Sequence, residues 1–304
     1  MARIELYGKE YEIRSFICSH KKYDEIETTP SVRLYIRLTN SCNANCKFCL
    51  NHQNKSRDRV DKEKLEEVIR YLKSKDVINA VTLTGGEPMI DFKYLNEIIN
   101  LILEIDPNMR ISISTNGTNL KEFLNFDNID KIDAIHISRH HIRDEINNEI
   151  LGVKTASLED IKYVQERLKN KKLIIVNSIM MNGYIETFDD VKKLADELSY
   201  IGINRVHIVS LMDYNEYCRE KYIDVYKVFN EALKNDDSIF RVTDRYRKDF
   251  CECHEYAYIT TYGKEIHMLA RNVKSNNSDY IEQLVYTNEN KLITGFDSND
   301  VLFC

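Results

Sequence analysis

Cys42, Cys46 and Cys49 stand in the string SCNANCKFCL, spaced C-x3-C-x2-C. Thiolates are soft ligands for iron and zinc. Three of them on one short loop can hold three irons of a 4Fe–4S cluster, which ordinarily takes four thiolates, and leave one iron open to a small molecule. A structural zinc site would want a fourth protein ligand to close it. Three unrelated core thiols would want nothing. The triplet does not separate these readings, so the rest of the chain must.

The elements that would carry such a loop alternate between two periods. Short runs rich in Ile and Val read as buried parallel strands at Arg33–Thr39, Ala80–Thr84, Arg110–Thr115, Ala134–Ser138, Leu173–Met180 and Arg205–Leu211. Helical patterns lie between them. Val60, Leu65, Val68, Ile69 and Leu72 share one helix face, and Val191, Leu194, Ala195 and Leu198 another. Helices are also expected over Tyr94–Ile105, Leu158–Leu168 and Tyr217–Leu233. Such alternation calls for parallel strands joined by right-handed crossovers. Six units are too few for a closed eight-fold barrel. The expected α/β fold is therefore a partial (β/α)6 TIM barrel over residues 31–235, with a doubly wound open sheet as the competitor. Residues 1–30 begin as a β-hairpin. Beyond residue 235, Tyr256–Thr261 and Glu265–Ala270 flank a Tyr-Gly-Lys turn, and Tyr280–Tyr286 and Lys291–Phe296 flank Thr-Asn-Glu-Asn. These two hairpins predict a small β-rich C-terminal extension, residues 236–304, placed to cap the barrel mouth.

Composition narrows the class. At 304 residues the chain can bury a full core, and its 43% hydrophobic and 30% charged fractions are ordinary for a soluble globular protein. No apolar run approaches the roughly 18 residues of a membrane span, and the first residues lack the apolar core of a signal peptide. A cytoplasmic setting is expected, since eight irregularly spaced cysteines do not look like a secreted disulfide framework. The net charge of −6 argues against tracking a nucleic-acid backbone. The basic run 169–172 reads as a solvated helix end.

Parallel α/β folds bind ligands at the carboxyl ends of their strands. The cysteine loop follows the first strand at that end. The second strand runs into Thr84-Gly85-Gly86-Glu87-Pro88, where two glycines let the backbone come close to a ligand. The cysteine triplet, with Phe48 before its last cysteine, and this GGEP turn together resemble the radical S-adenosylmethionine (SAM) enzymes. In that family the open iron binds the amino and carboxylate groups of SAM. An electron from the cluster cleaves SAM, and the resulting 5′-deoxyadenosyl radical abstracts hydrogen from an unactivated carbon. The resemblance implies that Cys42, Cys46 and Cys49 hold a 4Fe–4S cluster and that Gly85, Gly86 and Glu87 form part of the SAM site.

The pattern is most similar to the branch that includes the molybdenum-cofactor GTP cyclases, over roughly residues 33–211. Ser114-Thr115-Asn116-Gly117 is like that branch's TNG, Ile137-Ser138 with Gly152 like its VSLD…G segment, and the strand from Ile175 to Met180 like its KINTV. By that match Thr115 with Asn116, Ser138 and Asn177 would contact SAM, and Phe48 would lie against the adenine. Where the family commonly has Leu-Asp after the serine, this chain has Arg139-His140-His141. These are expected at the barrel mouth, where Arg139 could grip a carboxylate or phosphate and His140 could move a proton. A surface loop with capping histidines is the alternative. His136 and His207 read as strand residues of the core. Cys218 follows the sixth strand and could return a hydrogen atom to a substrate radical, or be a helix-face cysteine, and Cys18 reads as a small hydrophobe.

Cyclases of that branch carry a second cluster on C-x2-C-x13-C. Here Cys251, Cys253 and His267 give C-x-C-x13-H, and Cys304 could fold back as a further ligand. Histidine ligates iron in Rieske centres. Either a second iron–sulfur cluster persists on these residues or only the hairpin survives. The resemblance implies a nucleotide-like or other small-molecule biosynthetic substrate. It does not imply the cyclase itself, given the altered second motif and a chain ending Leu302-Phe303-Cys304. Crosslinking or epimerisation of a precursor peptide is the rival reading, and a non-catalytic iron–sulfur or zinc sensor a third. A ferredoxin or flavodoxin would supply the electron.

Overall fold

The computed structural model describes residues 2–13, 32–50, 56–168, 173–234, 239–243, 254–273, 280–281, 283–296 and 298–304. It opens on a hairpin, β1 (Ala2–Leu6) and β2 (Lys9–Ile13), closed by a two-residue turn in which Tyr7 and Gly8 both have positive φ. The strands and helices of the main body follow in order: β3 (Val32–Arg37), α1 (Lys62–Ser74), β4 (Ile78–Thr84), α2 (Phe92–Ile105), β5 (Arg110–Thr115), β6 (Ala134–Ser138), α3 (Asp144–Leu151), α4 (Leu158–Arg167), β7 (Leu173–Ile179), α5 (Phe188–Tyr200), β8 (Arg205–Val209), α6 (Glu216–Lys221) and α7 (Val225–Leu233). Short 3-10 turns, not a helix, join β5 to β6.

Local chemistry sets these boundaries. Asp61 caps α1 by accepting the amides of Glu63 and Lys64, and the buried face of the helix is Leu65, Val68, Ile69 and Leu72. Reciprocal capping boxes start α4 (Ser157 with Asp160) and α5 (Thr187 with Asp190). The single helix expected over Tyr217–Leu233 is two helices. Asn182 N–H donates to the Lys221 carbonyl at 3.0 Å and Tyr222 bridges to Met181, which stops α6. Asp224 then caps α7 by accepting the Lys227 amide.

Seven further strands complete the chain: β9 (Phe240–Val242), β10 (His254–Ile259), β11 (Glu265–Arg271), β12 (Tyr280–Ile281), β13 (Gln283–Tyr286), β14 (Leu292–Ile293) and β15 (Val301–Phe303). The large sheet has the order β15-β14-β13-β3-β4-β5-β6-β7-β8-β11-β10-β9. Its six central strands are parallel and each lies beside its predecessor, so the chain never reverses direction across the sheet as a doubly wound fold does. The C-terminal strands do not form a separate layer over the mouth. Instead β13 pairs parallel to β3 and β11 parallel to β8, so the last segments occupy both edges of the central sheet and satisfy its exposed backbone groups. β12 joins β1 and β2 in a small second sheet.

With every crossover in one direction, the helices collect on one face. The side chains beneath them are Leu34, Ile36, Val81, Leu83, Ile111 and Ile113, all 0% exposed. The alternate positions form the opposite, concave face: Arg33, Arg37, Arg110, His136, Arg205 and His207, all half-buried. Among the described residues, no helix is long and apolar enough to cross a membrane.

Candidate active site

The cysteine loop leaves β3 and is held from four sides. At its base, Gly86 N–H donates to Thr39 O at 2.6 Å and Glu87 N–H to Ser41 O at 2.9 Å. This contact explains the two glycines. A methyl group on Gly86 would overlap the Ser41 carbonyl, and one on Gly85, whose φ is +138°, would press on Thr39 O at 2.5 Å. The close approach inferred from the sequence is therefore to the protein's own cysteine loop.

From the β5 side, Asn116 Nδ2 donates to Asn43 Oδ1 at 2.8 Å, and Asn43 Nδ2 donates to Thr118 at 2.9 Å. At the C-terminus of α3 the Leu151 carbonyl accepts the Asn45 amide at 2.8 Å and lies 3.7 Å from Cys46 Sγ. Gly152, at φ +66°, ends that helix so close to Asn45 that a Cβ would come within 2.9 Å of it. From the β8 side, Asn215 donates to Lys47 O at 3.0 Å and Tyr214 to Leu50 O at 2.8 Å. Cys42, Cys46 and Cys49 form no disulfide and are all of intermediate exposure. Burial lowers the pKa of the Arg37 guanidinium on the concave face, and neighbouring Cys49 and Glu289 oppose that pull.

Glu87 is the pivot between the β4 and β5 ends. Its carboxylate is 1% exposed and accepts from Thr115 Oγ1 at 2.7 Å, Asn116 N at 2.6 Å and Met89 N at 3.0 Å. Burial drives its pKa up to about 7 against these three hydrogen bonds. Thr115 also accepts the Gly117 amide at 3.0 Å, so its hydroxyl is committed inside the protein. The side chains of Glu87, Thr115 and Asn116, expected at SAM, hold strand ends and the cysteine loop together. The sequence reading missed the partners Asn43, Asn45 and Asn215. The only signal for them was polar side chains clustered in and opposite the loop.

Residues 36–198 match the radical SAM superfamily. The chain belongs to this superfamily. Its enzymes use a 4Fe–4S cluster and SAM. The chain is 29% identical over 210 residues to the GTP 3′,8-cyclase of Aquifex aeolicus, a match covering 66% of this chain and 64% of that protein. It is 38% identical over 97 residues to the 7-carboxy-7-deazaguanine synthase of Clostridium acetobutylicum, covering 31% of this chain and 42% of that one. The match thus spans less than two thirds of each relative. The crystal structure of Streptococcus suis SuiB bound to precursor peptide SuiA superposes with a TM-score of 0.62 at 15% identity, covering 89% of this chain and 61% of SuiB.

The superfamily's cofactors fit the residues present. Three thiols outside any disulfide, on a braced loop, supply the soft donor set of an iron–sulfur cluster. Among the described residues no three His, Cys, Asp or Glu side chains are gathered about one metal ion. A 4Fe–4S cubane instead distributes its thiolates over separate irons. At the carboxyl end of β7, Asn177 Oδ1 is buried without a hydrogen-bond partner among the described residues, and Asn177 stands in register with Ser138 on β6 and His207 on β8. An orphaned acceptor at a strand end calls for a donor that arrives with a ligand.

The three residues expected to do chemistry are placed differently from expectation. The Arg139 side chain is 1% exposed and turned inward: it donates to the carbonyls of Ile142 (2.7 Å) and Ala156 (3.3 Å) and pairs with Asp144 at 2.6 Å. It holds a loop and has no free fork for an anion. His140 is 3% exposed and accepts the Ile179 amide at Nδ1. Cys218 is 1% exposed and packs with Ile150, Met181 and Leu211 beside Phe48; burial raises its thiol pKa. It is a buried apolar neighbour of the loop and does not line the mouth. His136 and His207, read as core, contact each other on the concave face at 5.5 Å between ring centroids.

For the second cluster, Cys251 and Cys253 lie outside the described residues, as does Cys18. His267 on β11 meets Glu255 at 3.1 Å and Glu265 at 3.4 Å. Cys304 is exposed beyond β15, at the opposite end of the sheet order from β11. The strand order does not bring His267 and Cys304 together.

Proposed function

We propose that the chain abstracts hydrogen from an anionic, nucleotide-like small molecule held on the concave face of its sheet. SAM bound to the cluster would supply the 5′-deoxyadenosyl radical. The observation that carries this reading is the charge of that face. The six central strands contain no Asp or Glu, and every charged side chain they carry is cationic. Arg33 and Arg110 flank the small Ala80 in one register row; Arg33 donates to Thr82 (3.0 Å) and Ser112 (3.3 Å), and burial, then the neighbouring Arg33 charge, lowers the pKa of the Arg110 guanidinium. Arg205 and His207 continue the surface toward β11, which adds Arg271. Such a basin lowers the free energy of phosphate or carboxylate groups and concentrates anions. Relatives named for GTP and deazaguanine chemistry agree with it.

A ferredoxin or flavodoxin would deliver the electron. The test is anaerobic reconstitution with iron and sulfide, dithionite and SAM, followed by measurement of 5′-deoxyadenosine release. GTP or another nucleotide should raise the release above the uncoupled rate. Stimulation by a precursor peptide, with nucleotides silent, would replace this reading with peptide modification.

A further inference from the structure

β6 leaves the sheet after Ser138, and Arg139 N–H makes the last ladder bond, to Asn177 O at 2.9 Å. The next donor across the ladder, Ile179 N–H, then lacks a backbone acceptor from β6. His140 replaces it: its Nδ1 accepts the Ile179 amide at 3.2 Å. That bond fixes the neutral tautomer with its proton on Nε2. The His140 amide donates to Asn147 Oδ1 at 2.8 Å, and Asn147 Nδ2 to Thr155 at 3.0 Å, which ties the residue to α3, the helix whose C-terminus holds the cysteine loop. The imidazole also meets the Phe48 ring edge-to-face, 5.3 Å between centroids at 83°. One buried residue thus joins the β7 end beside Asn177 and the loop residue between Cys46 and Cys49 through its ring, and α3 through its backbone amide.

We propose that His140 is a positioning residue that sets the Phe48 wall of the SAM pocket, and that it transfers no proton in turnover. Burial beside Arg139 pushes its pKa down to about 3, consistent with a permanently neutral ring. The proposal rests on Phe48 lying at SAM. Three variants test it: His140→Asn, whose Oδ1 can still accept from Ile179 but which has no ring; Phe48→Leu, which removes the same contact from the loop side while leaving the strand-end bonds intact; and the double variant.

In the reconstituted protein, cluster content should stay at the wild-type level. SAM affinity, read from the SAM-induced change in the electron paramagnetic resonance spectrum of the reduced cluster, should fall roughly tenfold in each single variant. The double variant should be no weaker than the worse single one, because both remove one contact. The rate of 5′-deoxyadenosine formation at saturating SAM should hold within about twofold. In the protein without cluster or SAM, amide exchange across residues 45–50 should quicken in His140→Asn. Unchanged SAM affinity, multiplying losses, or a collapsed rate at saturating SAM with affinity intact would each overturn the proposal. If the wild type binds no SAM, the pocket reading fails, while the exchange measurement still decides whether His140 braces the loop.

Discussion

The two faces of the central sheet differ more than the two faces of a buried parallel sheet ordinarily do. One face is Ile, Leu and Val under helices; the other carries Arg, His, Ser, Thr and Asn with no carboxylate from the six central strands. Parallel strands covered on both sides read as continuous apolar runs. Here only one side of these strands is covered by helices, so only that side needs apolar packing. The same six strands therefore divide their labour by residue parity: one parity supplies hydrophobic stability and the other supplies the charge of the face proposed to hold the substrate.

That division can be broken from either side. Ile113→Arg places an unpaired charge among fully buried side chains and should cost more than about 4 kcal/mol, seen as loss of a cooperative melt. Leu83→Ala on the same face should cost roughly 2–5 kcal/mol by cavity formation and leave the melt cooperative. If either change is tolerated without loss, the helix side is not the stabilising face.

Glu87 sharpens the comparison, since it is a fully buried carboxylate at the edge of a cationic basin. Its pKa stands raised, from 4.5 to about 7. The stabilising contribution of this group is therefore complete below about pH 4.5 and disappears as pH rises through about 7, amounting to roughly 3 kcal/mol. Glu87→Gln cannot ionise, so its melting temperature should vary less with pH between 5 and 8.5 than that of the wild type. Parallel profiles would mean that the three donors around Glu87 keep it ionised throughout.

The smallest effect on stability is expected on the concave face. Among the described residues Arg33 donates to two hydroxyls and to no carboxylate, so Arg33→Met should change stability by less than about 1 kcal/mol. It should nevertheless raise the KM for a stimulating nucleotide roughly tenfold, the cost of one charge-assisted contact. A KM left unchanged would move the substrate away from this row.

The strands were legible from Ile- and Val-rich runs, and the helix faces from their apolar spacing, because both patterns follow from which side each element buries. The Tyr217–Leu233 helix was misread because its break depends on Lys221 and Tyr222 meeting Asn182 and Met181, 39 to 41 residues away in sequence. The site was legible where spacing along the chain is the chemistry, as with Cys42, Cys46 and Cys49. It was not legible where side-chain direction decides: Arg139 turns to Asp144 and backbone carbonyls, Thr115 turns to Glu87, and His136 and His207 face the basin.

The sequence alone determined the superfamily, the three thiols and the order of the six central strands, since each is a property of neighbouring residues. Only the tertiary structure decided that the C-terminal strands extend both edges of the sheet, that Gly85 and Gly86 make room for the cysteine loop, and that the GGEP carboxylate is an internal brace. Those facts depend on which backbones and carboxylates meet across dozens of residues. Local pattern carries no information about such meetings until packing and hydrogen-bond satisfaction select one arrangement.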